Sequence, residues 1–426
     1  MKSYWSEKGL SKRVLVISQN FYPEIGSAGN RIKNIYKLLK EEEYEVNVLT
    51  TDPMYPNKKI YSDNQFWDDD LIEEERDVTR IQVKNRKYSR SIMNRLWFYL
   101  EMALKMLLFI LFDRRKYDVV FVTSPPIFIA VVGLVAKYHY RSKLILDIRD
   151  LWPESLKGVG VFNYPFVISL FSKLEKLLYI KSDQIIVNSR GFIDFIVENY
   201  NISLEKIHFM PNAAKEDEVS FQEAGQGKFK VIYAGNIGLA QDVNVLMEVA
   251  KQLNDYDIEL NVMGYGFKKK EFIKFKDQHQ LTNVNFIKPT TRKKCLDIIS
   301  QHHIGLVTLN GKEVFETVLP GKIVDYMTRG IPIVAAVSGY AQEVIESKRV
   351  GIVSDSHDVD EVVRHILHLY TNPSLRKEMG SNGLRYVKEH FYWENNIHVL
   401  INLIENRKLA TFKLNQVESG DKAEVL

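Results

Sequence analysis

The sequence predicts an α/β protein built as two Rossmann-like, doubly wound domains facing each other across a cleft. Three observations predict it. Short apolar runs ending in Gly, Ser, Pro or Asp alternate with amphipathic stretches along the chain, the pattern of βαβ units and a parallel sheet. That series stops at a polar gap and then restarts. The length of 426 residues suits two or three domains.

In the first series the expected strands are "RVLVIS", "EVNVLT", "DVVFVTS", "KLILDIR" and "QIIVNS". In the second they are "FKVIYAGN", "IELNVMG", "VNFIKP", "IGLVTL" and "IPIVAAV". Between them, residues 212–228 ("NAAKEDEVSFQEAGQGK") are polar, contain glycine and lack periodicity, so they read as a linker. Domains are therefore expected at 1–211 and 229–391, followed by a helix over 392–408 and a disordered tail over 409–426. Open sheets of this class bind ligands beyond the carboxyl ends of their strands.

Composition narrows the function classes. Hydrophobic residues make up 45% and charged residues 26%, as in ordinary globular proteins. Lys plus Arg at 58 against Asp plus Glu at 54 is too even to argue for nucleic acid. Cys295 is the sole cysteine, which rules out an intrachain disulfide and a cysteine-based zinc cluster. The apolar burst at 14–17 is too short for a secretory signal and reads as a first buried strand, so a cytoplasmic location is expected. The acidic run "FWDDDLIEEE" (66–75) has no nearby histidine, reads as a solvated face, and no metal is assigned.

Residues 96–112, "LWFYLEMALKMLLFILF", are unusually apolar. Arg86, Lys87, Arg90 and Arg95 precede them, and Arg114, Arg115 and Lys116 follow. A membrane span needs roughly 20 apolar residues, whereas this run is shorter and contains Glu101 and Lys105. An amphipathic helix lying in an anionic membrane surface fits the aromatic content and basic flanks, with Trp97, Phe98, Leu104, Leu108 and Phe109 meeting lipid. The competing reading is a buried core helix with solvated basic ends.

Four stretches at strand ends can carry chemistry. In "NFYPEIGSAGNR" (20–31), Gly26 and Gly29 let backbone amides approach a ligand ahead of a helix. In "DIRDLWPESL" (147–156), Arg149, Asp150 and Glu154 cluster after an apolar strand. In "YAGNIGLAQD" (233–242), Gly235 and Gly238 expose amides suited to a diphosphate. In "ETVLPGKIVDYMTRGIPIVA" (316–335), Lys322 can neutralise phosphate charge, while Glu316 and Asp325 can accept hydroxyl hydrogen bonds from sugar rings.

These stretches, with "FVTSPP" (121–126) and "HFYWENN" (390–396), resemble the GT-B glycosyltransferases of the large retaining family four. The match is strongest to the bacterial surface-polysaccharide branch that includes N-acetyl-fucosamine transferases. The resemblance implies that the second domain holds a nucleoside diphosphate sugar, with a lean to uridine. It further implies transfer with retained anomeric configuration to a lipid-linked saccharide, and no cofactor or metal. Asp325 is implied as the ribose carboxylate, where most relatives have Glu. The carboxylate on the donor sugar falls on Glu316, with Glu313 as the rival. Asn236 and Gln241 stand where many relatives place Arg and Lys on the diphosphate. Phosphate binding would then rest on amides near Gly26, Gly235 and Gly238, with Lys322 and Arg149. Gly264 and Pro289, at the ends of the next two strands, count with the donor site. Asp150 and Arg149 occupy the place where the family often has a histidine under the donor sugar. The helix from about Tyr392 is expected to cross back onto the first domain. A non-hydrolysing nucleotide-sugar epimerase and an inert binding or scaffold protein remain alternatives at this level.

Overall fold

The computed structural model describes residues 11–407, apart from 70, 73, 85–91, 161–163, 223, 224, 226 and 356. Arg86, Lys87, Arg90, the side chain of Arg95 and the tail over 409–426 therefore lie outside the described residues.

The first sheet contains β1 (Arg13–Ile17), β2 (Glu45–Thr51), β3 (Val78–Ile81), β4 (Val119–Ser124), β5 (Lys143–Ile148), β6 (Gln184–Val187) and β7 (Ile207–Phe209). The second contains β8 (Lys230–Asn236), β9 (Glu259–Tyr265), β10 (Val284–Ile287), β11 (Ile304–Thr308), β12 (Ile333–Ala336) and β13 (Gly351–Ser354). The strand orders are β3-β2-β1-β4-β5-β6-β7 and β10-β9-β8-β11-β12-β13, and every pairing is parallel. Central strands such as β4 and β11 are buried at every residue, as a sheet covered on both faces requires. Both orders reverse direction beside the first strand of their sheet, and the crevice at that switch point is where such folds receive ligands.

Three strands had no counterpart in the sequence expectations: β3, β7 and β13, all at sheet edges. β3 is half-exposed throughout and β7 has only three residues, so neither carries the continuous apolar run that marks a buried strand.

The two domains meet through the linker and through the helix Trp393–Ile404, which packs on the helix Ser27–Glu41 of the first domain. Lys12 and Lys143 donate from Nζ to the carbonyls of Ile404 (3.0 Å) and Leu403 (2.5 Å), satisfying acceptors at that helix's C-terminal end. Arg31, fully buried, makes a bidentate pair with Asp147 at 2.7 and 3.0 Å. It also donates to the carbonyl of Pro211, just before the linker, at 3.1 Å and sits 5.7 Å from the ring of Trp393.

The helix Ile92–Phe112 divides the two sequence readings between its faces. Phe98, Met102, Met106 and Ile110 recur every four residues and are buried in the first domain's core against the helix Ile127–Tyr140. Phe98 was expected to meet lipid; the helical period turns it inward instead, and it is 4% exposed. Trp97, Leu100, Leu104, Leu108 and Leu111 form the opposite, exposed face. Phe109 is half-buried, with the Arg115 guanidinium 5.6 Å from its ring. Glu101 and Lys105 pair at 3.0 Å. Among the described residues, no helix is long and apolar enough to cross a membrane.

Candidate functional site

A cleft of about 900 Å³ opens between the carboxyl ends of the two sheets. Its first-domain wall starts at Gly26, whose φ of 113° suits glycine and which caps the helix Ser27–Glu41. A Cβ at Gly26 would lie 2.8 Å from the hydroxyl of Tyr265 in the second domain, so this glycine permits the domains' close approach. Tyr265 also meets Tyr55 edge-on, with ring centroids 5.0 Å apart. On the cleft's other flank Ser189 donates to the carbonyl of Thr317 at 2.5 Å.

Opposite Gly26 begins the helix Gly321–Thr328, capped by Pro320. A Cβ at Gly321 would stand 3.6 Å from the side chain of Ser27, so two helix N-termini from different domains face each other across the cleft. Neither has an acidic residue in its first turn. Unpaired amides and two positive dipole ends converge there, an environment that favours an anion.

Lys322 supplies the full charge. Its Nζ donates to Gln241 Oε1 at 2.9 Å and lies 3.8 Å from the centroid of the Tyr233 ring. Its stem passes Gly235, the penultimate residue of β8, whose φ is 135°. Burial pulls the Lys322 ammonium down to about 7, and nearby Asp325 only partly opposes this. Gln241, standing where a cation was expected, therefore holds a lysine that has no carboxylate within ion-pair distance among the described residues.

Asp325 lies one turn further along the helix, and its Oδ1 accepts from Arg292 Nη1 at 2.5 Å. Arg292 also forks onto Glu218 of the linker at 3.1 and 3.2 Å. Burial would lower the arginine's pKa, but its two carboxylates outweigh that and fix its charge. Among the described residues, Asp325 thus has one oxygen bound and the other without a partner.

In the first domain, Arg149 donates to the carbonyl of Pro125 at 3.0 Å, while its buried Nε has no partner among the described residues. Burial lowers its pKa. Burial also raises the Asp150 carboxyl to about 6, against the hydrogen bond from Ser155 and the charge of Arg149. Glu24 accepts from the amides of Met54 (2.6 Å) and Tyr55 (2.8 Å) and from Asn20 (2.5 Å); burial raises its pKa despite those bonds.

Of the residues singled out from the sequence, Gly26, Arg149, Asp150, Gly235, Asn236, Gln241, Gly264, Pro289, Lys322 and Asp325 all line this cleft. Gly238 does not: it is buried beneath Asn236, whose side-chain amide a Cβ there would strike at 2.6 Å. Nor do Glu316 and Glu313. They lie three residues apart on the one-turn helix Glu313–Glu316 and share its exposed side, while Phe315 and Leu319 turn into the cleft. Glu316, expected on the donor sugar, thus stands outside the cleft in this structure.

Four residues of the site were not anticipated: Glu24, Tyr265, Glu218 and Arg292. Glu24 sits inside the quoted glycine stretch, and Arg292 opens a helix just after Pro289, so strand-end position could have flagged both. Tyr265 ends β9 directly after Gly264 and carries the same strand-end signal, whereas Glu218 acts through Arg292, remote in sequence, with no local signal.

The chain is similar to known proteins in sequence and in fold. The putative colanic acid biosynthesis glycosyl transferase WcaI of Escherichia coli (strain K12) is 23% identical over 347 residues, 78% of this chain and 84% of that one. The chitobiosyldiphosphodolichol beta-mannosyltransferase of Candida albicans is 23% identical over 325 residues, 70% of each chain. The solved structure of Anabaena Alr3699/HepE in complex with UDP and glucose shares the fold at a TM-score of 0.68 and 14% identity, covering 93% of this chain and 100% of that one. The model of the glycosyl transferase 4-like domain matches residues 26–213, and that of the glycosyl transferases group 1 matches residues 214–386. With one model on each domain and the cleft between them, the chain belongs to the group 1 glycosyltransferases of GT-B fold.

Proposed function

We propose that the protein moves an N-acetylated hexosamine or deoxyhexosamine from a uridine diphosphate donor to a lipid-linked saccharide, with retention at the anomeric carbon. In this reading the product belongs to surface polysaccharide of the O-antigen or capsule type, and the enzyme works on the inner face of the cell membrane. The N-acetyl-fucosamine transferases are its nearest functional model.

The observation that carries the reading is the pair of opposed, acid-free helix N-termini with Lys322 between them. They supply positive potential of the kind that suits a diphosphate gaining charge as it leaves. Asp325 Oδ2 takes a ribose hydroxyl. Arg149 and Asp150 orient the sugar, and ionised Asp150 steadies the positive charge that grows at C1. The bond from C1 to the diphosphate oxygen breaks with its electron pair going to that oxygen. The acceptor oxygen bonds to C1 on the same face, and its proton passes to the leaving phosphate.

The names of relatives support the substrate classes: UDP and glucose in the Anabaena complex, a diphosphodolichol-linked saccharide in the yeast enzyme, colanic acid in the E. coli one. The exposed apolar face at Trp97, Leu104 and Leu108, followed by Arg114, Arg115 and Lys116, supports work at a membrane.

A thermal-shift panel of uridine, guanosine and thymidine diphosphates and their sugars tests the donor. A ligand that binds only the folded chain stabilises it by about 2.7 kcal/mol at a hundredfold excess over Kd. Uridine diphosphate should raise Tm in the wild type and much less in Asp325→Ala. Stabilisation by guanosine diphosphate alone, or an unaltered shift in Asp325→Ala, would overturn the donor assignment.

A further inference from the structure

The helix Pro165–Lys181 has an outer face that nothing described so far uses. Phe166 is 80% exposed, and Tyr164 just before the helix, Leu170, Leu177 and Ile180 are exposed as well. The polar residues sharing that surface are Ser169, Lys173, Lys176 and Lys181. The helix has a single carboxylate, Glu175, and it points the other way. It is buried and accepts from the hydroxyls of Tyr179 (2.7 Å) and Tyr200 (2.5 Å). Burial raises it to about 8, against those two bonds, so it adds no negative charge to this side at neutral pH. The outer face thus presents large apolar side chains and cations, with no exposed acid.

This helix lies on the same side of the first sheet as Ile92–Phe112. The helix Ile127–Tyr140 contacts both, and all three send side chains into one core. Between the two exposed stripes it presents half-buried Phe128, Val131, Leu134 and Val135 and exposed Tyr138, so the apolar surface is continued by an element that touches each. The three helices are joined by rings: Tyr99 with Phe128 at 6.2 Å, Phe128 with Phe171 at 5.9 Å, and Trp152 with Tyr99 and Phe171 at 6.4 and 5.8 Å. Trp152 follows Asp150 by two residues, so this layer reaches the cleft edge. In a parallel sheet the helix after a strand starts at the strand's carboxyl end. Trp97, Tyr164 and Phe166 therefore mark the cleft-side margin of the surface.

We propose that Pro165–Lys181 and Ile92–Phe112 together form one lipid-docking face, with the second helix supplying aromatic anchors and the lysines that recognise anionic headgroups. The proposal rests on the membrane reading above and extends it from one helix to a two-helix plane. Charge complementarity argues for lipid over a second copy of the chain, because two such cationic faces would repel each other. A plane has a fixed orientation where a single helix can roll. It sets the cleft at the membrane surface, beside an acceptor whose diphosphate lies at headgroup level.

The test is co-sedimentation of the full chain with vesicles of equal parts phosphatidylglycerol and phosphatidylcholine, and with pure phosphatidylcholine. Three variants are compared with wild type: Phe166→Glu with Leu170→Glu, Lys173→Ala with Lys176→Ala, and Leu104→Glu with Leu108→Glu. The lysine pair is exposed, so its loss cannot open the core. Each basic residue near an anionic surface contributes about 1 kcal/mol, so that pair should lower partitioning on the order of tenfold or more at low salt. Both variants of Pro165–Lys181 should weaken binding to the anionic vesicles, and melting curves should match wild type. If only the Leu104/Leu108 variant weakens binding, the second helix is no part of the face, while the membrane reading stands. If the wild type ignores anionic vesicles, both fall. If the wild type is a dimer that the Phe166/Leu170 variant dissociates, the face covers a second copy and the proposal is wrong.

Discussion

Two arginines hold the chain at the interdomain linker, one at the residue just before it and one at a residue within it, and they do so in different ways. Arg31, in the first domain, ties Pro211 to Asp147 and stacks near Trp393, with both members of its ion pair fully shut from solvent. Arg292, in the second domain, ties Glu218 to Asp325, and all three side chains keep part of their surface open to the cleft. The first clamp closes on itself. The second leaves one oxygen of Asp325 uncommitted, so a ligand that takes that oxygen touches the linker through Arg292. Similar chemistry therefore serves assembly on one wall and ligand contact on the other, and burial decides which.

Removing the arginines tests this directly. Arg31→Ala leaves Asp147 buried without a partner, which costs about 3–5 kcal/mol. The Arg292 pairs are about a quarter exposed, so water screens the two carboxylates left by Arg292→Ala, and the stability cost should be only about 1–2 kcal/mol. Urea unfolding ranks the two. The order of effects should reverse in calorimetry, where Arg292→Ala weakens uridine diphosphate binding more than any variant of the first clamp that still folds. Equal stability losses would make the second clamp structural as well.

Lys322 should show the next largest effect, through binding alone. It lies on the open wall without an ion-pair partner among the described residues, and losing a charge-assisted bond to phosphate weakens affinity on the order of tenfold to a hundredfold. In the free protein its pKa is drawn down to about 7, and the ammonium form is the one that binds the diphosphate. Affinity is therefore full below pH 7 and falls as pH rises through it. Lys322→Arg, which stays charged, should flatten that profile. Calorimetry from about pH 6 to about pH 9 would show it, and a flat wild-type curve would place the diphosphate away from this lysine.

What the sequence showed of this arrangement follows from how local each signal is. The central strands were legible because a parallel strand covered on both faces must be an unbroken apolar run. The linker was legible as a stretch without periodicity. Glycines, Arg149, Asp150, Lys322 and Asp325 stood out because each sits just past a strand or at a helix start. The clamps were not legible. Arg31 meets Asp147 across 116 residues, and Arg292 meets Glu218 across 74, so nothing near either residue in sequence announces the contact. The helix Ile92–Phe112 failed differently: apolar on nearly every side, with Glu101 and Lys105 marking one polar edge, it satisfies core and surface periodicities at once, and only its neighbours assign each face.

The smallest expected effect tests the wall itself. If Asp325 carries the donor contact from this helix, the acids just before it are spectators, although Glu316 lies only nine residues upstream. Glu313 and Glu316 occupy the exposed side of a one-turn helix whose inward residue, Phe315, is already packed, as is Leu319 just beyond it. The backbone of Glu316 is fixed against Gly339, where a Cβ would lie 2.3 Å from its carbonyl oxygen. Turning that side chain into the cleft would expel Phe315, a buried aromatic worth about 1.5–3 kcal/mol of apolar burial. Glu316→Ala and Glu313→Ala should therefore leave both uridine diphosphate affinity and the transfer rate within about twofold of wild type, as surface substitutions generally do. A rate loss above a hundredfold in either, with nucleotide affinity intact, would show that the loop rearranges when the donor binds. In that case the open wall holds two carboxylates, and the contrast with the closed clamp of Arg31 becomes larger.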